Sequence, residues 1–515
     1  VTNMNPLISK TPATTKQWTQ LNITLGQASY AQERIWLDEQ LRLSITEEDK
    51  GLHSYNSLLV YKITSGSVSI PCLRKAIKCV INKHQIFRTS LNYDTTQYCL
   101  KQSINPSQDD SWSYQFTRSH LDDNEKIDEL VFNEETSNKY FNLDQGRLFR
   151  CHLIKQTETV NNNDILNEND LVLLSFHHSA IDEHSRYLFL RDLKLAYTSG
   201  QLNIDDNELQ YIDYSQHERQ MDMTELKEFW KKMLTDFPFE HHLKLPYDHY
   251  LTKIGSGSSF PFQVDKSMIR QIFRYKQKRN VTMFRLFLSC YYVFLFKLIN
   301  ETDLCVNGLT PNRYRSELGN IIGPFENMLP YRFQLNPHQS FNEVVKQVEQ
   351  LCQDIKENDR LPFQDIIALY RSAAVRSSSS SSSASMKLPF MQTLLRVDIE
   401  DDVWHLDDEK NTVLNKLSPP TEGTYIRTTN ITPIDLTLKV KYNLNNKTLG
   451  FSFEYADNLF EDKTIELLSK RFQQLLKHLF DVSSTFDLDE QPVYELSIIL
   501  SDEQRLIEKV NANTL

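Results

Sequence analysis

Hydrophobic positions along this chain fall into blocks of two kinds. Leu73, Ile77, Val80 and Ile81 recur at helical spacing, and Pro71 suits a first turn. This predicts a helix from about residue 71, after an amphipathic helix that begins near Ala28. Other blocks are short and apolar, and predict strands at 89–93, 97–102, 149–155 and 171–176. The last, Leu171-Val-Leu-Leu-Ser-Phe176, has no polar alternation and suits the middle of a sheet. A further helix follows, with Tyr187, Leu190, Leu193 and Tyr197 expected on its inner face and Gly200 just past its end. Residues 203–224 look like a polar connection. Beyond it, helices are expected near 225–234, 282–299, 341–356 and 462–480. Strands are expected near 304–309, 393–397, 436–442 and 449–454. Both halves mix helices and strands, which predicts an α/β (α+β) fold in two lobes of similar type.

Composition refines this picture. Hydrophobic residues make up 40% and aromatic residues 11%, enough for substantial cores. A net charge of −11 argues against a nucleic-acid partner. The most apolar long run, 283–299, contains Arg285 and Lys297 and reads as a buried helix, so no membrane span is expected. The seven cysteines show no metal-type CxxC spacing and read as free thiols of a reducing, cytoplasmic compartment. Seven consecutive serines, 377–383, read as a surface loop.

Candidate chemistry centres on His177-His178-Ser-Ala-Ile-Asp182, where the central strand would leave its sheet. Adjacent residues of a strand face opposite sides, so only one histidine can serve a given cavity. His178 and Asp182 lie four apart with no third ligand at helical or hairpin spacing, and no metal site is expected.

The segment 177–182 resembles the HHxxxDG motif of the chloramphenicol-acetyltransferase-like superfamily. Ser29-Tyr-Ala-Gln-Glu-Arg34-Ile-Trp36-Leu37 resembles SxAQxRxWxL, the first motif of condensation domains of nonribosomal peptide synthetases. Lys83-His84-Gln-Ile-Phe-Arg88-Thr89 is similar to RHExLRT, and Tyr211-Ile-Asp213-Tyr214 to YxDY. Thr310-Pro-Asn-Arg313-Tyr-Arg315, Ile322-Gly323-Pro-Phe325-Glu326-Asn327 and Leu361-Pro-Phe-Gln364 resemble TPxxxR, IGxFVN and LPFE. These appear in the family's order between about residues 24 and 490.

The resemblance implies two chloramphenicol-acetyltransferase-like lobes in a V around a tunnel. Residues 1–20 would be a linker, 21–202 the N-terminal lobe, 203–224 a connection and 225–490 the C-terminal lobe. Residues 491–515 would lead towards an adenylation domain, so the chain reads as part of a longer polypeptide. The implied reaction joins a donor acyl or peptidyl thioester to an acceptor aminoacyl group. Upstream and downstream carrier proteins would bring both on phosphopantetheine arms, with no cofactor bound by the domain itself. His178 would be catalytic, accepting the amine proton or orienting the amine. His177 would face the core. Asp182 would pair with an arginine from the other lobe, with Arg313 the first candidate and Arg315 the second. Alternatives are an epimerisation domain or a catalytically impaired carrier-docking platform.

The sequence departs from the pattern at Glu183, which replaces the motif's Gly, and at Glu326, which replaces a Val. One expectation is that Glu183 obstructs the acceptor arm, so that Glu183→Gly speeds condensation. The other is that it pairs with Arg186 and the change is neutral or harmful.

Overall fold

The computed structural model describes residues 18–45, 55–106, 114–121, 124–137, 139–156, 164–205, 207–237, 242–249, 256–377, 389–400, 403–417, 426–431 and 434–512. Of the serine run 377–383, Ser377 ends helix Phe363–Ser377, contrary to the loop expectation, and 378–383 lie outside the described residues, as does most of the segment 1–20. The chain divides into two compact units, each with its own sheet.

The first unit comprises residues 1–223, 311–327 and 401–418. Its six-stranded sheet runs in the order Val403–Asp407, Thr412–Lys416, Asn56–Ser65, Leu171–His177, Phe149–Lys155, Gln115–His120. Leu171–His177 is buried at every position, and pairs antiparallel with the strands on both sides. Helix Ile70–Lys83 starts behind the Ser69 cap, and buries Leu73, Ile77, Val80 and Ile81. Helix Glu183–Ser199 ends at Gly200, whose φ of 76° is the left-handed conformation glycine adopts without a Cβ clash. Its buried face includes the expected Leu193 and Tyr197 but not Tyr187. Leu188, Phe189, Leu193, Ala196 and Tyr197 point inward, and Tyr187 is exposed. Aromatic residues lie on both sides of the helix stripe, and edge-on and tilted packing of Phe189 among Phe87, Phe149 and Phe176 selects the phase.

Two local expectations change. The polar connection at 203–224 contains helix Tyr211–Arg219, with Tyr211, Ile212, Asp213, Tyr214, Ser215 and Glu218 all buried. Residues 311–327 and 401–418, expected in the C-terminal lobe, pack with the first unit. Hairpin Val403–Lys416 extends the first sheet by pairing with Asn56–Ser65. Such long-range strand addition leaves no periodic trace in the local sequence.

The second unit comprises residues 224–310, 328–400 and 419–515. Its seven-stranded sheet contains Asp303–Thr310, Thr393–Ile399, Leu436–Asn443 and Thr448–Ala456. Helix Met283–Ile299 buries twelve residues against this core, which explains its apolar character. Among the described residues no single helix is long and apolar enough to cross a membrane.

Candidate active site

The His pair sits where the central strand ends. His177 is its last residue, and donates its backbone N–H to Leu148 O at 2.9 Å. His178 donates its own to Tyr55 O at 2.8 Å, so consecutive residues bond to opposite neighbours. The side chains diverge in the same way. His177 is 1% exposed. Its Nδ1 accepts from the Ser179 N–H at 3.2 Å, and its Nε2 faces Glu39 Oε1 at 3.5 Å. His178 is half-buried, and its ring lies edge-on to that of Tyr55 with centroids 6.4 Å apart. Tyr55 is anchored by its hydroxyl, which donates to Asp38 Oδ2 at 2.7 Å. A strand end thus presents one imidazole and buries the other.

Asp182 closes the loop after the histidines. Its carboxylate caps helix Glu183–Ser199 by accepting the Ser185 N–H at 2.7 Å. It also accepts the Phe325 N–H at 3.0 Å, and Arg313 Nη2 at 3.1 and 3.3 Å. Arg313 itself donates to Ser185 Oγ and to the carbonyls of Leu318 and Ile321, with its guanidinium 4.0 Å over the Phe325 ring. Asp182 and Arg313 are 2% and 6% exposed, so each is the other's main charge compensation. Arg313 was expected from the other lobe; it lies in the 311–327 segment of the first unit. Arg315 turns elsewhere, pairing with Glu317 at 2.9 Å.

Other motifs are tied together within the same unit. Ser29 and Gln32 form a reciprocal cap on helix Tyr30–Ile45: Ser29 Oγ accepts the Gln32 N–H, and Gln32 Oε1 accepts the Ser29 N–H. Ser29 Oγ is also 2.8 Å from the Tyr211 hydroxyl, which donates to Pro324 O at 2.8 Å. The first motif, YxDY and IGxFVN thereby meet at one buried tyrosine. Asp213 accepts the Gln210 N–H and the Leu21 N–H, both at 2.8 Å. His84 Nε2 lies 2.8 Å from Asp192 Oδ2 on the helix that follows the His pair. Burial lowers the His84 pKa against the pull of Asp192.

Gly323 carries a requirement that motif matching left unexplained. A Cβ built there would lie 1.9 Å from the Tyr211 ring. Tyr211 cannot retreat, because it is 1% exposed and bonded at its hydroxyl. Gly323→Ala is therefore expected to destabilise the protein by about 3 kcal/mol, the upper range of overpacking effects, as read from urea unfolding.

Glu183 is the first residue of its helix and is not among the described residues with positive φ. Arg186 donates to its Oε2 at 2.6 Å. Its backbone N–H, unpaired within the helix, donates to Glu326 Oε1 at 3.3 Å, so the two family departures meet each other. A carboxylate also favours a helix N-terminus. Glu183→Gly should lower stability by about 1 kcal/mol, seen as a lower melting temperature.

In the second unit, Asp359 was missed. It lies two residues before the Leu361–Gln364 segment, and accepts a hydrogen bond from Thr310 Oγ1 at 2.8 Å. Burial raises its pKa to about 6. The folded state thus keeps a proton that the unfolded chain releases near pH 3.8. The group's full contribution to stability is present below that pH and is lost as pH rises through about 6. Asp359→Asn should stabilise the protein by about 3 kcal/mol at about pH 8 and change little at about pH 4, measured by denaturant unfolding.

Among the described residues no group of three His, Cys, Asp or Glu is placed to hold a metal ion. All seven cysteines are free, four of them buried.

The Condensation domain family profile matches residues 25–507. The chain belongs to the condensation-domain family. In general this family forms amide bonds by acyl transfer. Bacitracin synthase 1 of Bacillus licheniformis is 24% identical over 497 residues, covering 94% of this chain. Phosphinothricin tripeptide synthetase PhsC of Streptomyces viridochromogenes is also 24% identical over 94% of the chain. The chain spans only 8% and 41% of these relatives' lengths. The condensation domain of the monacolin K polyketide synthase MokA superposes with a TM-score of 0.70 at 16% identity, covering 92% of this chain and all of that one. The X-domain from teicoplanin biosynthesis gives 0.70 at 20% identity, covering 92% and 97%. The fold is thus the chloramphenicol-acetyltransferase-like one of condensation domains.

Proposed function

We propose that this condensation domain joins a donor acyl or peptidyl thioester to an acceptor aminoacyl group, each carried on the phosphopantetheine arm of a carrier protein. The observation that carries this reading is the partly exposed His178 at the end of the central strand, beside a loop clamped by Asp182 and Arg313. The acceptor amine attacks the thioester carbonyl, the C–S bond breaks and the amide bond forms. His178 receives the proton that the attacking nitrogen sheds. Holding both tethered ends together supplies several kcal/mol more, since effective molarities of aligned groups reach about 10⁵ M or above. His177, Asp182 and Arg313 position the loop and do not touch the reacting atoms. Carrier proteins on the donor and acceptor sides are the partners, with an adenylation domain following in the same polypeptide. The four-domain nonribosomal peptide synthetase AB3403, with a TM-score of 0.71 at 18% identity, has this fold over 97% of the present chain and 35% of its own.

The test supplies two loaded carrier proteins and follows the acceptor carrier by intact mass. The expected result is a gain equal to the donor acyl group. No gain with both carriers fully loaded would overturn the reading. A docking role is the second reading, prompted by Glu183 and Glu326 in the motifs and by the teicoplanin X-domain, which was solved in complex with OxyB.

A further inference from the structure

A second constellation lies at the outer edge of the first sheet, on strand Gln115–His120 and its parallel neighbour Phe149–Lys155. Ser119 Oγ is 2.8 Å from His152 Nε2. His152 Nδ1 is 2.7 Å from Glu134 Oε1, on helix Asn124–Thr136. A carboxylate can only accept, so Nδ1 carries a proton and donates it to Glu134. In the neutral ring Nε2 is then an acceptor, and the Ser119 hydroxyl donates to it. This is the tautomer that a general base beside a serine requires.

Exposure grades in the same order. Ser119 is half-buried, His152 is 4% exposed and Glu134 is 1% exposed. The carboxylate is fixed from behind. Arg150 Nε donates to both of its oxygens at 3.0 Å, and Ser175 Oγ donates to Oε2 at 3.2 Å. Arg150 is held in turn by Gln115 and Thr117, with the Tyr140 ring 4.1 Å from its guanidinium carbon. Burial raises the Glu134 pKa, but hydrogen bonds from His152 and Arg150 outweigh it and leave the carboxyl below its usual range. None of the motif segments compared above includes Ser119, His152 or Glu134.

We propose that Ser119 is an activated nucleophile, with His152 as its general base and Glu134 as the positioning carboxylate, able to take acyl or phosphonyl groups from activated esters. With an ester, Ser119 Oγ bonds to the carbonyl carbon and its proton passes to His152 Nε2. The alcohol or phenol then leaves with that proton, and water hydrolyses the acyl-serine. With a fluorophosphonate, the O–P bond forms and the P–F bond breaks. Fluoride leaves and the adduct is permanent.

The test treats the whole protein with a biotinylated fluorophosphonate and maps the adduct by peptide mass spectrometry. The expected adduct is on Ser119. Ser119→Ala should abolish it, and His152→Gln should slow it by roughly 10²-fold, the ordinary contribution of a histidine base. His178→Ala should label at the parent rate, which separates this site from amide formation. Release of p-nitrophenol from p-nitrophenyl acetate by the parent, lost in Ser119→Ala, would add turnover to reactivity. Melting curves identify any His152→Gln protein that is unfolded, and the parent's adduct position decides the matter without that variant. No adduct on Ser119, or labelling spread evenly over surface serines, would overturn the proposal.

Discussion

His178→Ala should remove most amide formation while leaving the fold intact. The imidazole is half-buried at a strand end, and its loss opens no cavity in the core. Its backbone hydrogen bond to Tyr55 O does not depend on the side chain. Proton handling by histidine contributes roughly 10²–10⁴-fold, so the single-turnover rate with two loaded carriers should fall by that factor. His177→Ala should behave in the opposite way. It removes a ring packed against Tyr55 and Phe141 and strands the Ser179 N–H, so it should lower the melting temperature. An alanine at 178 that turns over as fast as the parent would falsify the catalytic assignment.

The largest stability effect should come from the Asp182–Arg313 pair. Asp182→Ala leaves the Arg313 guanidinium buried beside Phe325 without its carboxylate, and removes the cap of helix Glu183–Ser199. Breaking such a buried pair from one side costs about 3–5 kcal/mol. Arg313→Ala should cost a similar amount, since it abandons the Asp182 charge and unties the carbonyls of Leu318 and Ile321. The double variant should be well short of the sum, because the second substitution removes a charge already stranded by the first. Urea unfolding of the four proteins gives the cycle. Simple additivity would show that the two residues stabilise the fold independently.

Several parts of this architecture were readable along the chain. The fully apolar run Leu171-Val-Leu-Leu-Ser-Phe176 signals a central strand, because only a strand covered on both faces drops the alternation. The 3.6-residue recurrence of Leu73, Ile77 and Val80 signals a helix for the same kind of local reason. Helix Tyr211–Arg219 was hidden. Tyr211, Asp213 and Glu218 are polar in type, yet they are buried because distant partners satisfy them: Ser29, Leu21 and Tyr30, while Tyr214 donates to Glu218 within the helix. The buried face of Glu183–Ser199 was likewise decided by aromatic neighbours distant in sequence.

The sequence by itself determined the mixed α/β character, the two core-building halves, the strand end that bears the His pair, and the family, through motifs that are short and ordered. These depend on local periodicity and on residue types at fixed spacing. Only the tertiary structure decided which unit residues 311–327 and 401–418 join, that Arg313 and not Arg315 compensates Asp182, and that Glu183 meets both Arg186 and Glu326. It alone brought Ser119, Glu134 and His152 into one hydrogen-bonded line. Pairings across tens to more than a hundred residues depend on how packed elements juxtapose. A one-dimensional pattern records which groups need a partner, and packing selects the partner.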